Sequence, residues 1–312
     1  MNKFKSILSR TASGLFRAVP DRVARHALFL AQGQREILDR WGYHIRPIHY
    51  YEPLPDFRSI TKEQLNRRRE YAALDFRWEA QLRLLDQLAV YGDELRGLDH
   101  LSTNGVNFQN GYFDGFDAAV YYSLIRHLKP RQIIEVGGGY STRIAHTALA
   151  RNRTQGSEGN LICIEPHPEP RLTEARLGID LVEKPVQEIK VDFFSSLEAN
   201  DILFIDSTHT VKFGSDVCYE FLDILPELRP GVWVHVHDIF FPHDYPSEWL
   251  LERRLALNEQ YLLEAFLAFN DEFAVQLSNH WICLDHPALA AALWPINHSE
   301  NSCSSFWMKR NK

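Results

Sequence analysis

The chain has 312 residues, 45% of them hydrophobic and 24% charged, with a net charge of −7. That length holds one large domain or one domain with a sizeable extension, and the composition excludes a disordered, fibrous or collagen-like chain. Residues 1–47 carry nine Lys/Arg against three Asp/Glu, whereas the remainder carries 25 against 38. An acidic remainder argues against a nucleic-acid partner, because phosphate rewards clustered positive charge. Apolar runs such as Leu203-Phe204-Ile205 are only a handful of residues long, so no transmembrane segment is expected. Cys163, Cys218, Cys283 and Cys303 are far apart and form no CxxC pair. This reads as a reduced, cytoplasmic protein without a disulfide framework or a cysteine-built zinc site.

Residues 1–42 are expected to be helical, with a break at Pro20-Asp21 and Asp21 as N-cap. The basic start reads as an amphipathic helix packed on the body; the alternative for residues 1–30 is contact with a membrane surface. Tyr50 to Asp56, punctuated by Pro53 and Pro55, is an extended connector. From Thr61 to about Gly97 the pattern is helical, with Tyr71, Leu74, Trp78, Leu82, Leu85 and Ala89 on one apolar stripe. Thr61 with Gln64 fits a capping box.

After about residue 100 the rhythm changes. Short β-rich runs at Gln132–Val136, Leu161–Glu165, Ile179–Glu183, Ile202–Asp206 and Val232–His237 alternate with helical stretches. Those stretches are Ser141–Ala150, Pro168–Leu177, Phe193–Ala199 and Asp216–Leu225. Continuous apolar strands suit a parallel sheet covered on both faces, and the alternation implies a doubly wound α/β domain. A helix around Trp249–Asn270 follows, then Glu272–Leu277, Trp281–Leu284 and Ser305–Lys309 as late antiparallel strands.

Glu135-Val136-Gly137-Gly138-Gly139-Tyr140-Ser141-Thr142 follows an expected strand and opens an expected helix. Glycines there let the backbone turn tightly and approach a ligand. A dinucleotide fingerprint would have glycine where Thr142 stands and an acid about twenty residues on. The next strand-end acid is Glu165, which is further away. Both departures weaken the reading as a nicotinamide-dependent oxidoreductase.

The pattern resembles the class I (Rossmann-like) S-adenosylmethionine-dependent methyltransferases over roughly residues 105–312. Its markers are Glu135-x-Gly137-x-Gly139, Ile164-Glu165, Asp201 to Asp206, and Gly231 to Asp238. The stretches around Asp206-Ser-Thr-His209 and His237-Asp238 are similar to bacterial methyltransferases of sugars and glycans and, more distantly, to metal-dependent O-methyltransferases. The resemblance implies that Glu135, Gly137, Gly139, Ser141 and Thr142 hold the methionine end of S-adenosylmethionine. Glu165 would accept hydrogen bonds from the ribose hydroxyls, which suits an ionised carboxylate.

An alcohol acceptor needs a base, a metal or both. By resemblance, Asp206, His209 and Asp238 are the catalytic candidates, with His209 as base: an ordinary imidazole is largely neutral at physiological pH. Asp206, His237 and Asp238 are the candidate ligands of a divalent ion, Mg or Mn. His237 stands where Asp or Glu is more usual, and imidazole suits Zn, Mn or Fe better than Mg. His237 therefore reads equally as a buried, hydrogen-bonded strand-end histidine. His235 reads as structural, His243 as an acceptor-site candidate, and Arg143 more readily as a packing residue than a cofactor contact. Tyr50, Tyr51 and Trp249 could stack on a sugar face or bury against their own fold.

The expected architecture is a doubly wound, mostly parallel seven-stranded sheet with helices on both faces. An N-terminal helical extension and connector (1–104) would cover the acceptor cleft of a methyltransferase domain (105–312). The expected activity is O-methylation of a sugar or other small hydroxylated acceptor. The alternatives are an NAD(P)-dependent oxidoreductase and a catalytically inactive scaffold of the same fold. The expected partners are a small-molecule or glycan acceptor, with a homo-oligomer also compatible with the sequence.

Overall fold

The computed structural model describes residues 20–99, 108–113, 115–169, 178–294 and 303–312. The expected Pro168–Leu177 helix, the end of the connector and the start of the basic segment lie largely outside them. Two compact units are present, residues 1–59 and 60–312.

In the first unit the described helices are Asp21–Gly33 and Arg35–Arg40. The Pro20 carbonyl accepts from the amides of Val23 and Ala24, so Asp21 is a first-turn acid and not the expected N-cap. Tyr50 and Tyr51 are largely exposed, and their rings pack on each other and on His49.

In the second unit seven strands form one sheet in the order β3-β2-β1-β4-β5-β7-β6. They are β1 (Gln132–Val136), β2 (Asn160–Ile164), β3 (Asp180–Val182), β4 (Ile202–Ile205), β5 (Trp233–Val236), β6 (Phe273–Ser278) and β7 (Phe306–Arg310). The first five run parallel, and β7 pairs antiparallel with both β5 and β6. All five expected parallel strands are present. The helices that matter below are α1 (Trp78–Leu88), α2 (Gly115–Leu128), α3 (Tyr140–Arg153), α4 (Glu259–Leu267) and α5 (Asn279–Asp285).

Alternation along the strands divides the core between the sheet faces. Ile133, Ile202, Phe204 and Trp233 pack with α1, α2 and α5 in one cluster. Ile134, Leu203, Ile205, Val234 and Val236 pack on the other face with Phe194, Phe221 and Leu263. Leu85, Leu88 and Leu95 belong to the first cluster, which explains why the compact units divide at residue 59/60 and not at 104/105.

Several local expectations differ from the structure. The Thr61–Gln64 capping box is present, but its helix runs only Lys62–Leu65. Tyr71 and Leu74 then lie in a loop, pinned by Arg69 N–H donating to the Pro242 carbonyl and by Asp75 accepting from the Arg77 amide. Trp281–Leu284, expected as a strand, lies in α5; an apolar run of four residues has no period that separates the two states. The expected helix at Trp249–Asn270 is split into a π-type turn, Glu248–Glu252, and α4. Phe193–Ala199 contributes only a 3-10 turn.

Cys283 and Cys303 form a disulfide, against the expectation of none. They are 20 residues apart in sequence, but α5 lies beside the start of β7. The Asn279 amide donates to the Ser305 carbonyl at 3.0 Å and His280 Nδ1 to the Cys303 carbonyl at 3.1 Å. Among the described residues no helix is long and apolar enough to cross a membrane.

Candidate active site

The site is built where β1, β4 and β5 end. Gly137 has a φ of +85°, and a Cβ on it would meet the Asp206 carbonyl oxygen at 1.9 Å, so only glycine fits without movement. The Asp206 amide in turn donates to the Val136 carbonyl at 2.9 Å. The glycine loop and the acidic end of β4 are therefore locked together. Gly139 is extended, and the space where its Cβ would stand is open. The Thr142 hydroxyl accepts from the Gly139 amide at 3.1 Å and holds the loop against the start of α3.

Glu135 is fully buried. One carboxylate oxygen receives the Tyr121 hydroxyl at 3.3 Å, and the other has no hydrogen-bond partner. Burial pushes its carboxyl up to about 7; the nearby hydroxyls of Thr142, Ser141 and Tyr121 work against this, and the charge of Asp206 adds to it. Ser141 and Thr142 are buried too, so their side chains support the loop from beneath instead of lining an open cleft. Glu165, at the end of β2, accepts from the Gly138 amide at 3.2 Å and from the His167 amide at 2.8 Å. That puts its carboxylate beside the glycine loop with lone pairs still available.

Phe204 and His235 are register partners, with rings stacked at 3.9 Å. Asp206 and His237 lie two residues further along the same strands, on the same side. Here His209, Asp206, His237 and Asp238 converge. His209 Nε2 is 3.3 Å from Asp206 Oδ1 and 3.4 Å from Asp238 Oδ2, and its Nδ1 is 2.7 Å from Glu259 Oε2. His237 Nδ1 is 3.4 Å from Asp206 Oδ1 and 3.6 Å from Asp238 Oδ1. His209 and Asp238 both have φ of +56°, a strained backbone of the kind that collects at functional sites.

Burial disfavours the cationic form of His209, but hydrogen bonds to Asp206 and Glu259, with the charge of Asp238, outweigh it and raise its pKa well above the ordinary value. His237 is raised in the same way against its burial, by Asp206, Asp238 and Asp117. For Asp206, burial is overcome by the His237 charge and by both imidazoles, which hold its carboxyl well below the usual range. The neutral His209 expected from its ordinary pKa is thus not the form favoured here. His235 is buried and hydrogen-bonded to Ser305 Oγ at 2.8 Å, and burial with the His237 charge lowers its pKa, as suits the structural role expected of it.

Three contributors had no motif to announce them. Asp117, in the first turn of α2, accepts from the amides of Ser304 and Ser305 at 2.7 and 3.1 Å and from Asn279 Nδ2 at 2.7 Å. Its Oδ2 lies 3.6 Å from His237 Nε2. The Ser304 hydroxyl donates to Asp238 Oδ1 at 3.2 Å. Glu259, at the start of α4, grips His209 twice, since its own amide donates to the His209 carbonyl. A lone acid in the apolar run Phe116-Asp117-Ala118-Ala119-Val120 was the one available signal; Ser304 and Glu259 had none.

Among the described residues no group of three or more His, Cys, Asp or Glu side chains is arranged to hold a metal ion. The expected ligand set, Asp206, His237 and Asp238, is instead paired within itself. A cleft of about 510 Å³ opens over the cluster, lined also by Tyr112, Glu248, Trp249, Arg253, Leu255 and Leu257. None of residues 60–99 lines it. His243, the other acceptor-site candidate, lines a neighbouring pocket with His280.

Residues 134–239 match a family model described as a methyltransferase domain. Over those residues, about a third of the chain, the sequence is similar to a methyltransferase domain. That segment contains every expected cofactor-binding and catalytic residue, from Glu135 to Asp238. An uncharacterized protein of Archaeoglobus fulgidus is 28% identical to the chain over 205 residues, 61% of this chain and 89% of that one. Two solved structures are also similar. One is the O-methyltransferase TomG of Streptomyces achromogenes, involved in tomaymycin synthesis and bound to S-adenosylmethionine (16% identity, TM-score 0.41, covering 62% of this chain and 79% of that one). The other is an O-methyltransferase of Bacillus cereus in complex with S-adenosylhomocysteine (14%, TM-score 0.40, covering 75% and 91%).

Proposed function

We propose that the methyltransferase domain transfers a methyl group to a hydroxyl oxygen of a small acceptor, a sugar or a glycan precursor, held where β4 and β5 end. The observation that carries the reading is the lock between Gly137 and Asp206, which joins the glycine loop to the cluster of Asp206, His209 and Asp238. S-adenosylmethionine supplies the electrophilic methyl. Glu165 takes the ribose hydroxyls, and the unpartnered oxygen of Glu135 is an acceptor that an ammonium group would match. The backbone amides at the start of α3 face the cofactor carboxylate.

Asp206 and Asp238 orient the acceptor hydroxyl, and His209 removes its proton when its own proton has been lost. Glu259 fixes the ring for this task through Nδ1, leaving Nε2 toward the two aspartates. A second reading is favoured by the carboxylates that hold His209 as a cation: its charge then steadies the oxygen as the Asp238 carboxylate takes the hydroxyl proton, and orientation supplies most of the acceleration. No step of either reading passes through a metal.

The test is calorimetry with S-adenosylmethionine, S-adenosylhomocysteine and NAD in parallel. The two adenosyl ligands should bind and stabilise the fold, and NAD should not. Glu165→Ala should weaken binding by about 1–3 kcal/mol. Absence of binding heat at two temperatures, or preference for NAD, would overturn the reading.

A further inference from the structure

We propose that the acceptor carries an anionic group, a carboxylate or a phosphate, and that Arg253 and Trp249 form the subsite that receives it. This rests on the acceptor cleft of the preceding section. Arg253 and Trp249 line that cleft together with Asp206, His209 and Asp238. The Trp249 ring is set edge-on against Phe240, with centroids 5.4 Å apart, and the Arg253 guanidinium lies over it at 5.7 Å.

The backbone holds this pair in place. The π-type turn Glu248–Glu252 is closed by the Arg253 amide donating to the Glu248 carbonyl at 3.0 Å, and the Leu255 amide donates to the Trp249 carbonyl at 2.9 Å. Between them Arg254 has a φ of +59°, a conformation that ordinary side chains adopt only under constraint. Such turns and strained residues recur at functional sites.

Charge makes the assignment. Arg68, Arg69 and Arg126 each hold a carboxylate. Among the described residues, no carboxylate lies within ion-pair distance of Arg253, although Glu248 shares its cleft. The cleft's two central aspartates are already occupied by His209 and His237. Arg253 is thus an exposed cation beside the Trp249 ring, with no ion-pair partner among the described residues. A guanidinium fork matches carboxylate and phosphate oxygens in pairs, while the neighbouring indole offers a flat apolar face to a ring.

The experiment uses the full chain saturated with S-adenosylhomocysteine, and measures binding of glucuronate, glucose 6-phosphate and glucose by saturation-transfer NMR. One charged sugar should bind at least about tenfold more tightly than glucose, as a charge-assisted pair predicts, and which one identifies the anionic group. Arg253→Ala should erase that preference, Arg253→Lys should keep part of it, and both should leave S-adenosylhomocysteine affinity unchanged. Equal binding of all three sugars, binding of none, or a preference that survives in Arg253→Ala overturns the proposal. If S-adenosylhomocysteine itself does not bind, the functional reading falls, and this inference falls with it.

Discussion

The Asp206 carbonyl oxygen occupies the place where Gly137 would carry a side chain, 1.9 Å from an ideal Cβ. One backbone contact therefore sets the distance between the glycine loop and the acidic cluster. Gly137→Ala should destabilise the fold by about 1–3 kcal/mol from overpacking, with about 1 kcal/mol more from the left-handed backbone, read from urea unfolding. Gly139→Ala is the control, because its Cβ meets open space. It should leave stability within about 0.5 kcal/mol of the parent while weakening S-adenosylhomocysteine binding. Equal stability of the two variants would show that the lock has no energetic weight.

Asp117 collects the Ser304 and Ser305 amides and the Asn279 side chain from two distant segments. Asp117→Ala would leave these donors buried and unpaired, and should cost about 3–5 kcal/mol in chemical denaturation. Asp117→Asn should cost less. The Asn279 Oδ1 has no partner in the parent and can accept from the new amide after a flip. A loss below about 1 kcal/mol in the alanine variant would remove Asp117 as an anchor.

The contributions of Glu135, His209 and His237 to the stability of the ligand-free protein should each fall as pH rises, in two windows, while the lowered pKa of His235 works the other way below the ordinary histidine value. Burial pushes the Glu135 carboxyl up to about 7, so between its ordinary value and pH 7 the folded chain keeps a proton that the unfolded chain releases. Its share is on the order of a few kcal/mol, and Glu135→Gln should remove that share while the raised carboxyls of Glu220 and Glu259 keep theirs. His209 and His237 are raised as well. Their contribution is complete below the ordinary histidine value, is lost as pH climbs through their folded values, and should survive in Glu135→Gln. Melting temperatures from pH 5 to 9 separate the two windows. An unchanged slope below pH 7 in Glu135→Gln would show that the buried carboxyl is not responsible.

Turnover should drop by about 10²–10⁴-fold in His209→Ala, the usual contribution of a positioned base, with S-adenosylhomocysteine affinity nearly intact. Undiminished turnover would leave orientation by Asp206 and Asp238 as the main device. Chelation provides an independent arm. Activity lost in EDTA and restored by Mg²⁺ or Mn²⁺ would assign an ion to Asp206, His237 and Asp238; full activity in EDTA would remove it.

The parallel strands and the residues at their ends were legible because their signals are local. Val136 to Thr142 joins a strand to a glycine turn, and Asp206, His209 and Asp238 are reactive types directly after apolar runs. The partners that orient them were not legible. Glu259 lies 50 residues from His209, and Ser304 lies 187 from Asp117, and no local period encodes contacts of that separation. Periodicity also misled where the chain is irregular: Tyr71 and Leu74 fit the stripe of α1 yet lie in a loop shaped by Asp75 and Arg77. Trp281–Leu284 became helix because contacts from Asn279 and His280 to the start of β7, not the apolar run itself, direct the chain there.

The Cys283–Cys303 bond makes a covalent ring whose two ends adjoin the groups that hold Asp117. Asn279 lies one helical turn before Cys283, and Ser304 follows Cys303 directly. Cross-linking positions 20 residues apart restricts the unfolded chain by about 3 kcal/mol in the chain-entropy account. A preparation kept in strong thiol reductant would lose that restriction on its unfolded chain and the covalent tie beside the groups that hold Asp117, while the glycine loop would keep its own hydrogen bonds. Oxidised and reduced samples of this chain are then two materials with different resistance to heat, and the thiol history of a sample becomes part of what any measurement on it reports.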